Sequence, residues 1–213
     1  MMTQFKLSAC TLLCTTLAAM FMPVAAQAAS NQVDLAQLQR QVRELQDIEA
    51  IRQLKFRYFR AIDSADLKLL DSLLTDDVEV RFIGGTYDWK LKGKTEYVEA
   101  VGRNFNSQMV TEHNGNHPEI TILSETEAKG TWYLHDNFYN LMSMSFTTGS
   151  AFYHDQYRKV DGEWKIANTR YVRHYEIVTP LKEKPNITVH YLGQHGRVVE
   201  RDCHTDALCR DAE

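Results

Sequence analysis

The stretch "TEHNGNHPEITI", residues 111–122, sets His113 and His117 four residues apart. Imidazole changes charge near neutral pH, so either ring could carry a proton in acid–base chemistry. On a helix, the same pair would share a face and could hold zinc. Asn114-Gly115 favours a turn, however, and Pro118 disfavours helix at His117. No cysteine pattern or H-E-x-x-H motif supplies further ligands, so no metal is expected. The alternatives left by the residues are an acid–base site and a solvated polar turn.

A carboxylate is the second signal. In "TWYLHDNFYNL", a strand period of two puts Trp132, Leu134, Asp136, Phe138 and Asn140 on one face. If that face is interior, Asp136 must be paired or carry a raised pKa, and either state marks a candidate site. On an edge strand it would stand in water. In "RYVRHYE", alternation sets Arg173 beside Tyr171 and Tyr175 on an aromatic face. Tyr58 and Asp63 lie about a turn and a half apart at the end of a helical pattern; Asp63 also reads as a helix N-cap.

These groups need elements to hold them. From Asp34, apolar residues from Leu35 to Leu54 recur every three or four positions, and Asp34 with Gln37 forms a capping box, so a helix is expected to about Ile62. Its first half is polar outside a narrow stripe, which suits packing on a partner helix or subunit. A second helix is expected in "DSADLKLLDSLL", with Asp63 or Ser64 as N-cap. The period then changes to two: Val78, Val80 and Phe82 alternate out, Gly84-Gly85 turns, and Tyr87, Trp89 and Leu91 alternate back. A third helix spans Thr95 to Phe105. Four long strands follow, near 119–127, 129–141, 149–160 and 163–177, the last two joined by Asp161-Gly162, and "ITVHYLG" is one more candidate strand. Helices followed by a long antiparallel sheet make an α+β fold in one domain, and a curved sheet closing over helices leaves a cavity.

Lys6, an apolar core and Ala26-Gln27-Ala28 read as a signal peptide over residues 1–28, so the protein is expected to be exported, periplasmic or secreted. The domain is expected over 29–190, with a C-terminal tail over 191–213. In an oxidising compartment Cys203 and Cys209 are expected to form a disulfide that pins this tail. The formal charge of −4, without a basic cluster, argues against nucleic acid as a partner. Past the leader, no apolar run is long enough to span a membrane.

Three stretches, "DIEAIRQLKFRYFRAID", "HNGNHPEITILSETEAKGTWYLHD" and "GSAFYHDQYRKVDGEWKIANTRYVRHYE", resemble the SnoaL-like branch of the nuclear transport factor 2-like superfamily, and most closely its bile acid 7-alpha-dehydratases. The resemblance covers about residues 35–190. It implies a cone-shaped α+β barrel, a curved, mainly antiparallel sheet wrapped over helices around a deep apolar pocket, in dimers or trimers. It places the catalytic tyrosine on Tyr58, the histidine on His113, its supporting aspartate on Asp63, a second acid–base or Tyr58-orienting aspartate on Asp136, and a polar anchor on Arg173. A pocket tyrosine of the family is Phe82 here, so one hydrogen bond to substrate is lost. The implied chemistry is a cofactor-independent lyase, most simply a dehydratase, acting on a small hydrophobic ring-containing substrate, steroid-like or aromatic. Formaldehyde loss from a lignin-derived diaryl compound, double-bond isomerisation, or ligand binding without catalysis are the alternatives.

Overall fold

The computed structural model of the protein describes residues 23–199, with side chains from residue 34 onward. Cys203, Cys209 and the greater part of the expected leader lie outside the described residues. A helix, α1, runs from Pro23 to Asp63. Its residues up to Glu44 belong to one compact unit, and the chain from Leu45 onward forms a second. In the first unit the stripe residues Leu35, Leu38 and Val42 are all exposed.

In the second unit the rest of α1 buries Ile51, Leu54, Tyr58, Phe59 and Ile62. Spacings of three and four put these on one stripe, the pattern of a helix with one apolar face. Asp47 anchors the start of this segment, its Oδ1 accepting from Lys159 Nζ at 2.7 Å and Trp164 Nε1 at 2.8 Å. The helix α2 (Leu67–Ser72) is capped by Asp66, whose Oδ1 accepts from the Leu69 amide at 2.9 Å. Neither Asp63 nor Ser64 is the cap: Asp63 is the last residue of α1 and is committed elsewhere.

The strands are β1 (Leu74–Ile83), β2 (Asp88–Lys92), β3 (Met109–Ile122), β4 (Glu127–Asn140), β5 (Ser145–Val160) and β6 (Glu163–Pro180), with α3 (Lys94–Asn104) between β2 and β3. They form one curved sheet in the order β2-β1-β6-β5-β4-β3. Every neighbouring pair is antiparallel except β1 and β6, so the sheet is mixed and the fold is α+β. Along β4 the alternation holds as expected: Trp132, Leu134 and Asp136 are buried. The β5–β6 hairpin turns at Asp161 and Gly162, both at positive φ (52° and 83°), which matches the right-handed twist of the strands.

Two local expectations give way. Asn114-Gly115 is not a turn. It lies inside β3, where His113, Asn114 and Gly115 pair with Asp136, His135 and Leu134 of β4. Glycine is needed there because a Cβ at 115 would lie 2.0 Å from Phe59 Cε2. The irregularity falls later, at a bulge between Asn116 and Glu119, where His117 has φ 49°. The segment "ITVHYLG" does not add a strand; its last residues open the short helix α4 (Tyr191–His195), which buries Leu192.

Candidate active site

A cavity of about 440 Å³ lies between the sheet, α1 and α3 of the second unit. It is lined by Tyr58, Phe82, His113 and Arg173, four of the residues singled out by sequence. Asp63 and Asp136 stand behind the wall as hydrogen-bond partners of His113 and Arg173.

His113 projects from β3, with its side chain only 8% exposed. Its ring stacks on Phe59 at 6.2 Å and meets the edge of Phe138 at 5.1 Å. Asp63, at the end of α1, reaches β3 with both oxygens. Oδ1 is 2.7 Å from His113 Nδ1 and accepts from Thr111 Oγ1 at 3.0 Å, while Oδ2 accepts the His113 amide at 2.9 Å. Burial pushes the Asp63 carboxyl up, but the His113 ring, the His113 amide and the Thr111 hydroxyl outweigh it and hold it below the usual carboxylate range. An ionised carboxylate can only accept, so the proton of neutral His113 sits on Nδ1 and Nε2 is the basic nitrogen available to a ligand.

Tyr58 is fully buried, with its hydroxyl 2.6 Å from Tyr97 Oη. Burial and the neighbouring Tyr153 push its phenol well above the ordinary tyrosine range, so it remains a neutral hydrogen-bond donor. Phe82 stacks on Tyr171 with ring centroids 4.4 Å apart. Tyr171 in turn shares a hydrogen bond of 2.8 Å with Tyr87.

Asp136 is not free to act as a second acid–base group, nor does it orient Tyr58. Its two oxygens accept from Arg173 Nη1 at 2.6 Å and Nη2 at 2.8 Å, a buried bidentate pair. Burial works against the guanidinium, but Asp136 outweighs it and raises the Arg173 pKa further. Arg173 Nε also donates to Tyr87 Oη at 2.9 Å and lies 2.9 Å from Glu176 Oε2. Arg173 thus lines the cavity with its Nε–H and one N–H of each terminal nitrogen already engaged. His117 is exposed, outside the cavity, with its ring against Tyr133. Among the described residues no group of three or more His, Cys, Asp or Glu could hold a metal ion.

A family model for the SnoaL-like domain matches residues 43–170, more than half of the chain. The protein belongs to the SnoaL-like family. Several solved structures share the SnoaL-like fold. A presumptive scytalone dehydratase from Novosphingobium aromaticivorans DSM 12444 is 21% identical over 66% of this chain and 97% of its own, with a TM-score of 0.56. The hexachlorocyclohexane dehydrochlorinase LinA-type3 from Novosphingobium barchaimii LL02 is 20% identical over 68% and 97%, with a TM-score of 0.57. A conserved protein from Planctomyces limnophilus DSM 3776 is 26% identical over 60% and 97%, with a TM-score of 0.52.

Three features of this SnoaL-like site escape the sequence reading. Alternation sets Tyr175 beside Arg173, but a bulge shifts the β5–β6 register between Ser150 and Ala151, which pair with Tyr175 and Arg173. Tyr175 is therefore exposed, and Glu176 and Val178 line the cavity instead. Tyr97 and Tyr153 join Tyr58 in the wall, Tyr97 from the buried face of α3. Lys55 is the third. Its Nζ lies 2.8 Å from Asp155 Oδ2, an ion contact without hydrogen-bond alignment, and sits 3.7 Å above the Tyr153 ring and 4.3 Å above the Tyr58 ring. Burial lowers its pKa, against the pull of Asp155. Its position four after Ile51 and three before Tyr58, on the buried stripe, is the signal that could have found it.

Proposed function

We propose that this SnoaL-like protein is a cofactor-independent lyase, a dehydratase acting on a hydrophobic ring-containing substrate. The observation that carries the reading is the Asp63–His113 pair, 2.7 Å apart, at the wall of a largely aromatic cavity. His113 Nε2 takes a proton from the carbon beside an activating carbonyl. Asp63 fixes the tautomer and stabilises the imidazolium that forms. Tyr58 donates a hydrogen bond to the oxygen that gains negative charge. The carbon–oxygen bond to the hydroxyl then breaks, a double bond forms, and the His113 proton leaves with the hydroxyl as water. Every step as written uses a protein group. The family membership supports the reading, as do the names of two structural neighbours, a dehydratase and a dehydrochlorinase, both eliminations.

The proposal includes export through the leader over residues 1–28, a tail closed by Cys203 and Cys209, and a homo-oligomer to which the exposed stripe of Leu35, Leu38 and Val42 contributes an apolar surface. The same base acting on a hydroxyl would release formaldehyde from a diaryl diol, so the assay must separate the two outcomes. Hydroxylated steroids and lignin-type diaryl compounds are incubated with the protein and followed by mass spectrometry. Loss of water is the expected result. Loss of formaldehyde, or rearrangement without mass change, would overturn the dehydratase assignment, and binding without turnover would overturn the lyase.

A further inference from the structure

Arg173 is the permanent cation among the described residues that line the cavity, and its charge is already offset by two carboxylates. Nη1 and Nη2 are held by Asp136 at 2.6 and 2.8 Å, and Nε is shared between Tyr87 Oη and Glu176 Oε2, each at 2.9 Å. One guanidinium is thus set against two carboxylates, and Asp63 adds a third behind His113. Of these three acids Glu176 is the one that lines the cavity itself. Its side chain is 8% exposed, and its Oε1 is tied to the Gly85 amide at 3.2 Å, so it cannot swing away without freeing the β1–β2 turn. An incoming carboxylate would meet a fixed, largely buried like charge, whose repulsion is screened less than that of a charge at the surface. The remaining wall suits an uncharged ring: Phe82, Tyr171, Phe105 and Phe138 supply faces and edges, and Ser145 and Thr147 supply neutral hydroxyls.

We propose that the cavity takes uncharged ring compounds and turns anions away, and that Glu176 is the residue that sets this selectivity. The proposal rests on the reading of the cavity as the substrate site, and it narrows that site to neutral substrates such as phenols, alcohols and ketones, as against free carboxylic acids. It also removes Arg173 from the role of substrate anchor and makes it the strut that holds Asp136, Tyr87 and Glu176 in place.

The test compares naphthol, neutral at pH 7, with naphthoate, a ring of the same size carrying a carboxylate. Binding to the whole protein is measured by isothermal titration and by quenching of tryptophan fluorescence, since Trp89 lines the cavity. The wild type should bind naphthol about tenfold or more tighter than naphthoate, as a nearby like charge in a partly buried site requires. Glu176→Gln should close most of that gap by binding naphthoate better, with naphthol affinity little changed. Equal or tighter binding of naphthoate by the wild type overturns the proposal, as does failure to bind naphthol at millimolar concentration. An unchanged ratio in a folded Glu176→Gln variant overturns the role of Glu176, and the wild-type ratio alone decides anion exclusion should that variant not fold. Neither measurement needs turnover. A failed lyase reading would leave the naphthol preference intact, and a failed selectivity proposal would leave the catalytic assay intact.

Discussion

Asp63 joins the last turn of α1 to β3 through three hydrogen bonds, from Thr111 Oγ1, the His113 amide and the His113 ring. These interactions favour its charged form and hold its pKa below the ordinary value. The folded state therefore gives up this proton at lower pH than the unfolded chain. Its contribution to stability is full above about pH 4, the unfolded carboxylate value, and is lost as pH falls through the lower folded value. Melting scans of the wild type and Asp63→Asn at falling pH should show the wild-type advantage shrinking below about pH 4. A constant difference across the acid range would show that Asp63 contributes no proton linkage. Residue types alone singled out two histidines and an aspartate at a helix end as candidates, and the family resemblance, not composition, chose His113 over His117 and set Asp63 behind it. The pairing of Asp136 with Arg173 was not legible, because alternation along β4 says which face a carboxylate is on and nothing about what stands opposite on β6.

At the scale of elements, β3 shows where local preference loses to tertiary packing. Asn-Gly is the strongest short turn signal in a sequence, yet residues 113–115 are paired with β4. What Gly115 supplies is the absence of a side chain. Phe59 occupies the space a Cβ would take, and the same Phe59 ring stacks on His113. Gly115→Ala should destabilise the fold by about 1–3 kcal/mol through overpacking. It should also disturb the imidazole that Phe59 supports, so denaturant unfolding and the chemical shifts of the His113 ring should both change. Wild-type stability in that variant would mean that Phe59 relaxes freely and does not brace the site. Much of the sheet was legible because period-two alternation runs through β4, but the first part of β3 was not, because Asn114-Gly115 and Pro118 read locally as a turn. The bulges were not, since one extra residue between Arg173 and Tyr175 reverses which side chains face in without changing the composition. Glu176 became a cavity residue by that shift.

For the whole molecule, the interior of the second unit is built in part from tyrosines. Tyr58, Tyr97, Tyr153, Tyr157 and Tyr171 are all buried, and burial is the leading cause that pushes each phenol well above the ordinary tyrosine range. The folded state then keeps these protons at a pH where the unfolded chain has released them. Stability from this source is intact below about pH 10, the unfolded tyrosine value, and falls as pH rises above it. The tyrosinate absorbance of these five residues should therefore appear together with loss of the circular-dichroism signal, and their ionisation ahead of unfolding would contradict their burial. The same enclosure keeps Tyr58 a donor. In the proposed elimination His113 carries the proton, and turnover of His113→Ala on the substrate found by mass spectrometry decides whether it does. Positioned acid–base catalysis is worth about 10²- to 10⁴-fold, so turnover should fall by that factor while the melting transition stays cooperative. Turnover within about threefold of wild type, in a variant that melts normally, would contradict it.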